Sequence, residues 1–193
     1  MKRGTKVRHK EYGKGRVVDF LEDGTPKVWF NAKTIVALPK ESLEIIKARY
    51  FAPVKGAPED TKMPVRGTLR SAGYDFYAAE DIVCPAHGKS KLSFTNVKAY
   101  MKTNEYLAIM IRSSLAVKHG LQVAQGVAVI DADYADNPTN DGNIGVAIVN
   151  NSNEDWVIEK GDRFCQGIFH QYMTTDDDDA SGERTGGYGH TGK

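Results

Sequence analysis

The segment Gly126-Val-Ala-Val-Ile-Asp-Ala-Asp-Tyr134 ends an apolar run on two carboxylates and a phenol. In an extended chain residues two apart share a face, so Asp131 and Asp133 emerge on one side. A carboxylate just past a hydrophobic strand, beside an aromatic ring, suits a general base next to a stacking surface. The plainer alternative is a strand-end turn in which the aspartates cap loop amides. In Ile111-Arg-Ser-Ser-Leu-Ala-Val-Lys-His-Gly120, an arginine leaves a strand into the start of a short helix. Arg112, Ser113 and Ser114 then present a guanidinium, hydroxyls and free backbone amides together, a set that suits phosphate oxygens. An ordinary helix cap with a surface arginine would look the same.

Two further strands carry polar groups. Gly161-Asp-Arg-Phe-Cys-Gln-Gly-Ile-Phe169 is a tight turn feeding a strand, with Gln166 aimed at a ligand or at a sheet neighbour. Ser71-Ala-Gly-Tyr-Asp-Phe-Tyr-Ala78 places Asp75 in an otherwise apolar strand, where a carboxylate needs an arginine or a hydrated cation as partner. The last eleven residues, Glu183-Arg-Thr-Gly-Gly-Tyr-Gly-His-Thr-Gly-Lys193, cannot be core, because Tyr188 is the one apolar body among four glycines. Arg184, the Tyr188 ring and exposed amides could instead close over an anionic ligand that has a flat face. A disordered tail is the alternative. The five histidines show no zinc spacing, and Cys84 and Cys165 form no CxxC pair, so both read as reduced packing residues of a cytoplasmic protein.

The elements that must position these groups are short strands. With 193 residues, 40% of them hydrophobic and 26% charged, the chain has the composition of an ordinary soluble protein. No apolar run approaches the roughly 20 residues needed to cross a bilayer, and no signal-peptide core is present, so no membrane partner is expected. The net charge of +1 divides unevenly: residues 1–50 hold 12 Lys/Arg against 6 Asp/Glu, and the rest carries a net −5. Two modules are implied. Strands are expected at Thr5–His9, Gly15–Phe20, Lys27–Phe30 and Thr34–Leu38, separated by Gly- and Pro-bearing turns, which makes a small barrel. Ala52 to Thr61 reads as a linker or a loosely packed leading strand. Strands follow at Gly73–Ala78, Ser90–Val97, Leu107–Ile111, Gly126–Ile130, Gly145–Asn150, Asp155–Ile158 and Arg163–Phe169, with one or two helical turns at Ser113–Lys118. The pattern favours an all-β sandwich or jelly roll. The domains expected are a basic barrel at 1–48, a linker at 49–61, a β domain at 62–173 and a mobile arm at 174–193.

Taken in order, Ala72-Gly-Tyr-Asp75, Arg112-Ser-Ser114, Ile130-Asp-Ala-Asp-Tyr134, Gly161-Asp-Arg-x-x-Gln166 and Arg184-x-Gly-Gly-Tyr-Gly-x-Thr-Gly192 resemble the five motifs of the trimeric dUTP diphosphatases. The resemblance covers about residues 53 to 193. It implies a jelly roll assembled as a homotrimer, with sites between subunits and the arm of one subunit covering a site built by the other two. The implied reaction converts dUTP to dUMP and diphosphate, with Mg2+ held mainly by the triphosphate. Asp131 would activate the attacking water, and Arg112, Ser113, Ser114, Gln166 and Arg184 would hold the phosphates. Asp75 matches the position that supports the metal's water shell.

On the same resemblance, Tyr134 would sit under the deoxyribose and exclude a 2′-hydroxyl. Backbone from Gln125 through Gly126 to Val129 would read the uracil edge. Tyr188 would stack on the base where the family usually has phenylalanine, next to Gly189, and His190 replaces the usual serine of the arm. Ala128 stands for a frequent glycine, and Ala135-Asp136-Asn137-Pro138 resembles a longer turn of phage and Bacillus-type members. A dCTP deaminase of the same superfamily is the alternative chemistry, which the Ile-Asp-Ala-Asp-Tyr run disfavours because deamination wants a glutamate base. A nucleotide-switched regulatory protein is the alternative class.

Val7-Arg-His-Lys-Glu-Tyr-Gly-Lys-Gly-Arg-Val-Val18 and Val28-Trp-Phe30 resemble the Tudor-like or SH3-like barrels appended to some helicases and transcription-coupling proteins. The basic excess here would face nucleic acid or an acidic protein such as a replication polymerase, recruiting the enzyme without touching its chemistry.

Overall fold

The computed structural model describes residues 1–31, 34–45 and 47–187. Contacts divide the chain into two units, Met1–Ala48 and Arg49–Lys193.

The N-terminal unit is one antiparallel sheet. Its strands are β1 (Lys6–His9), β2 (Gly13–Phe20), β3 (Pro26–Asn31), β4 (Thr34–Ala37) and β5 (Glu44–Ile45), in the order β4-β3-β2-β1-β5. Alternation decides which face is buried: Val7, Val17 and Val28 are fully enclosed with Leu43, and Phe20, Phe30 and Leu38 pack beside them. Gly15 lies opposite Val7 on this inner face. A Cβ there would stand 2.7 Å from Phe30 Cδ1 and 2.8 Å from Val28 Cγ1, so the glycine is required by packing.

The second unit begins with β6 (Tyr50–Pro53), β7 (Tyr74–Tyr77), β8 (Ile82–Cys84), β9 (Ser93–Phe94), β10 (Val97–Tyr100) and β11 (Glu105–Ile111). After the helix α1 (Ser113–His119) come β12 (Leu121–Val123), β13 (Ala128–Asp131), β14 (Gly145–Val146), β15 (Ile148–Asn150), β16 (Trp156–Ile158) and β17 (Arg163–Gln171). Among its described residues the unit is all-β apart from α1. A four-stranded antiparallel sheet β13-β11-β17-β7 is accompanied by the pairs β10-β6, β12-β15, β14-β9 and β16-β8. Phe76, Leu107, Ile109, Leu121, Ile144, Ile148 and Phe164 fill the core between them. Both cysteines are free and buried, and burial pushes the Cys84 thiol up to about 11. No helix among the described residues is long and apolar enough to cross a membrane.

The structure departs from the sequence expectation at several points, among them Gly145–Asn150, which is divided into β14 and β15. Tyr50–Pro53, which reaches into the expected linker, is the strand β6, and Phe51 packs edge-on against Phe76 and Tyr74. The strand expected over Ser90–Val97 is broken, because Asn96 takes a left-handed φ of 60° and separates β9 from β10. Polar groups also reach the interior: Glu105 is 1% exposed and takes a two-pronged ion pair from Arg49. Burial would raise the Glu105 carboxyl, but the Arg49 hydrogen bonds hold it below the ordinary value.

Candidate active site

The site residues gather at two places on the four-stranded sheet. At one end, Asp75 on β7 sits opposite Gln166 on β17, and Arg112 follows β11 directly into α1. Asp75 Oδ1 lies 3.2 Å from Arg112 Nε, and its Oδ2 accepts a 3.1 Å hydrogen bond from Arg163 Nη1. The arginine alternative therefore applies: one partly buried carboxylate braces two guanidiniums. Arg112 Nη1 also donates to the Arg163 carbonyl at 3.3 Å. Gln166 folds over the Gly73 backbone, where its Oε1 would be only 2.5 Å from an added Cβ. Ser113 and Ser114 are exposed on the first turn of α1, which Gly120 closes in the left-handed conformation at φ 63°.

At the other end lie the carboxylates. Asp131 is the last residue of β13 and pairs with Tyr106 near the start of β11. Asp131 and Asp133 have side chains 54% and 59% exposed, and both face Arg184. Arg184 Nη2 donates to Asp131 Oδ2 at 2.5 Å and Nε donates to Asp133 Oδ1 at 2.7 Å. These groups line a cleft of about 390 Å³ together with Met101, Thr103 and Tyr172. The Arg184 guanidinium also lies over the buried Tyr134 ring, 5.6 Å from its centroid. Gly187 N donates to Thr139 Oγ1 at 2.9 Å, which ties the arm to the loop after Tyr134. Tyr188, Gly189 and His190 lie outside the described residues.

Tyr134 is held by its own loop. Its hydroxyl donates to the Asn143 carbonyl at 3.1 Å and accepts from Asn140 Nδ2 at 2.8 Å. Asn137, buried, accepts from Thr139 and Asn140 amides and donates back to the Tyr134 carbonyl at 2.8 Å. Lys98 on β10 secures the outer side with hydrogen bonds to Asp136 Oδ1 at 2.5 Å and Asp141 Oδ2 at 2.9 Å. Burial alone would push the Lys98 ammonium down, yet these bonds raise it well above its ordinary value. The same bonds hold both carboxyls below theirs.

Gln125 and Gly126 form the exposed turn into β13, with Gly126 at φ 75°. As an edge strand, β13 offers its outer backbone amides and carbonyls to whatever lies beside it. Val129 is 57% exposed on that strand.

The two clusters lie far apart in one chain. From Tyr106, opposite Asp131, to Arg112 the chain advances six residues of extended backbone, about 20 Å. Arg163, Lys98, Asn140 and Asn143 carry no local signal in the sequence that marks them as site residues. Arg163 was inside a quoted motif, but its role depends on a cross-strand neighbour that only the register supplies.

A family model for dUTPase matches residues 59–192. The chain is 45% identical over 132 residues to the deoxyuridine 5′-triphosphate nucleotidohydrolase of Lactococcus lactis, which spans 67% of this chain and 87% of that protein. The corresponding protein of Candida albicans is 36% identical over 166 residues, 81% of this chain and 96% of its own length. Among solved structures, the dUTPase of Streptococcus mutans is 36% identical with a TM-score of 0.61, covering 65% of this chain and 98% of that one. The dUTPase of the Staphylococcus aureus phage phi11, 20% identical with a TM-score of 0.56, shares the fold over 70% of this chain and 98% of that one; its structure concerns the coordination of a structural Mg(II) ion. The chain belongs to the dUTPase family.

Proposed function

We propose that the protein is a dUTP diphosphatase, hydrolysing dUTP to dUMP and diphosphate. The observation that carries this reading, within a chain of the dUTPase family, is the division of labour across one sheet. Exposed carboxylates and a fixed tyrosine occupy one end, and braced guanidiniums with helix-start hydroxyls occupy the other. A distance of about 20 Å between them is too long for one nucleotide's reacting centre to use both ends of the same chain. The complete site then requires carboxylates from one subunit and cations from another, which supports a homotrimeric jelly roll with sites at subunit boundaries. The exposed Val129 of β13, with exposed Val127 just before the strand, suits such a boundary.

In this reading Asp131 accepts a proton from a water as its oxygen bonds to the α-phosphorus, and the bond to the bridging oxygen breaks in line. The negative charge arriving on the diphosphate meets Arg112, the hydroxyls of Ser113 and Ser114, and the Gln166 amide. Asp75 keeps Arg112 in the orientation that this requires. Tyr134, immobilised by Asn140 and Asn143, offers a rigid surface to the deoxyribose and no room for a 2′-hydroxyl. The outer backbone of β13 reads the uracil edge.

Among the described residues no group of three or more His, Cys, Asp or Glu could hold a metal by itself. Hard carboxylate oxygens are nonetheless present, so the residues fit Mg2+ carried on the triphosphate, and Asp75 would be the residue that supports it. Bound there, the ion would neutralise phosphate charge. In this reading Arg184 exchanges its contacts with Asp131 and Asp133 of its own chain for phosphate at a neighbouring site when dUTP is bound, and the arm places Tyr188 over the base. The N-terminal unit is read as an SH3-like barrel that recruits a partner.

Phosphate-release kinetics on dUTP, UTP, dCTP and dTTP test the assignment, with Asp131→Asn as control. Strong preference for dUTP that collapses in the variant is the expected result. Comparable turnover of UTP or dTTP, or ammonia release from dCTP, overturns it.

A further inference from the structure

We propose that the outer face of the N-terminal sheet binds single-stranded nucleic acid, with Trp29 as a base-stacking platform and Lys6, Arg8, Lys14 and Arg16 as phosphate contacts. The proposal rests on the N-terminal unit being a recruiting module and is independent of the chemistry assigned to the second unit.

The register builds this face. Lys6 pairs with Arg16, Arg16 with Trp29, and Trp29 with Ile35, so these four side chains form one row across β1 to β4. Arg8 and Lys14 form the adjoining row, with Glu44 on the far side of Arg8. The valines of the alternate positions point the other way, into the core. Trp29 is 44% exposed and Ile35 61%, a large apolar surface set among cations.

The charge pattern selects the partner. Lys6 opposite Arg16 and Arg8 opposite Lys14 are like charges on directly paired positions, an arrangement that costs the sheet stability. None of the four makes an ion pair with a described residue; Asp19, the acid of β2, is taken by Arg3 at 2.5 Å. A polyanion laid across the face relieves both repulsions at once. Neighbouring cations are about 5 Å apart between strands and about 7 Å apart along them, a grid that a flexible phosphate chain can follow. The indole beside that grid asks for a flat partner. A single strand alternates phosphate and free base, whereas a duplex hides its base faces in the stack and an acidic protein surface carries no such repeat.

The test uses the full chain and a fluorescein-labelled oligothymidylate followed by anisotropy at low salt, with excess dUMP present to occupy the nucleotide site. Binding is expected to weaken steeply as salt rises. Trp29→Ala should weaken it about tenfold, and Trp29→Phe, which keeps a ring, should retain most of it. Lys6→Gln with Arg16→Gln should make the log-log salt dependence shallower by about 0.7 per lost contact. All these variants should keep dUTP hydrolysis, and the Lys6→Gln, Arg16→Gln variant, freed of a like-charge pair, should unfold no earlier than the parent. Loss of dUTP hydrolysis in the parent would sink the enzymatic reading and leave this one standing. Absence of salt-dependent binding, displacement by dUMP, Trp29→Ala binding like the parent, or a polyglutamate peptide or duplex bound more tightly than the oligothymidylate would each overturn it.

Discussion

Asp75 and Arg112 meet at 3.2 Å across the end of the sheet, and the same carboxylate takes a second guanidinium from Arg163. A residue that the motif resemblance assigns to the metal's water shell is thus held, in this chain, by two cations. If Asp75 works by orienting Arg112, Asp75→Asn should lower kcat and raise KM for dUTP together by one to two orders of magnitude. Excess Mg2+ should leave that loss unchanged. Recovery at high Mg2+ would show that the metal shell is the main role.

Because Asp131 and Arg112 stand toward opposite ends of β11, their defects should complement. Asp131→Asn alone should cost about 10² to 10⁴ in kcat, the usual range for a removed general base, and Arg112→Ala should be similarly poor. After the two inactive proteins are mixed, unfolded and refolded together, some boundaries receive an intact Asp131 and an intact Arg112, so hydrolysis should return. A mixture no more active than its parts would show that each site lies within one chain.

Lys98 connects β10 to the loop that carries Tyr134. Lys98→Met leaves Asp141 and Asp136 without their cation and should destabilise the second unit by about 1–3 kcal/mol, the exposed half of Asp136 limiting the effect. The pH dependence has a defined sign. Both carboxyls are depressed in the folded chain, chiefly by the Lys98 hydrogen bond, so their contribution is complete above the ordinary aspartate pKa and vanishes as pH falls through the folded one. Thermal unfolding of parent and variant should differ at neutral pH, and the gap should begin to close only as pH falls below about 4. A constant gap down to acid would contradict this account.

Gly167 crosses the centre of β17 against the core. An added Cβ would stand 2.8 Å from Phe76 Cε2, 3.0 Å from Leu107 Cδ1 and 3.1 Å from Ile109 Cδ1, all on enclosed side chains. Gly167→Ala should therefore lower stability by about 1–3 kcal/mol. Calorimetry should show the loss in the transition of the second unit alone.

Much of this was legible in the residues because the relevant signals are local. Alternating apolar residues and turn glycines mark strands such as β2, β11 and β17, and Arg112-Ser-Ser114 leads into a helix start. What escaped depends on partners distant in sequence. Nothing near Asp75 says that Arg163 will face it, 88 residues later. Nothing near Lys98 says that it will be buried beside Asp136 and Asp141. Ile82–Cys84 and Leu121–Val123 are too short for periodicity to register and are strands because Trp156–Ile158 and Ile148–Asn150 pair with them. The break at Asn96 shows the opposite case, where a left-handed residue interrupts an otherwise strand-like run.

The distance between the two ends of β11 has a consequence for how activity responds to quantity. On the proposed reading, in which carboxylates and cations come from different copies, a lone chain would be fully folded and chemically silent. Catalysis then follows mass action: dilution below the subunit affinity should switch hydrolysis off with no change in secondary structure, and dUTP, by joining the two halves, should itself favour assembly.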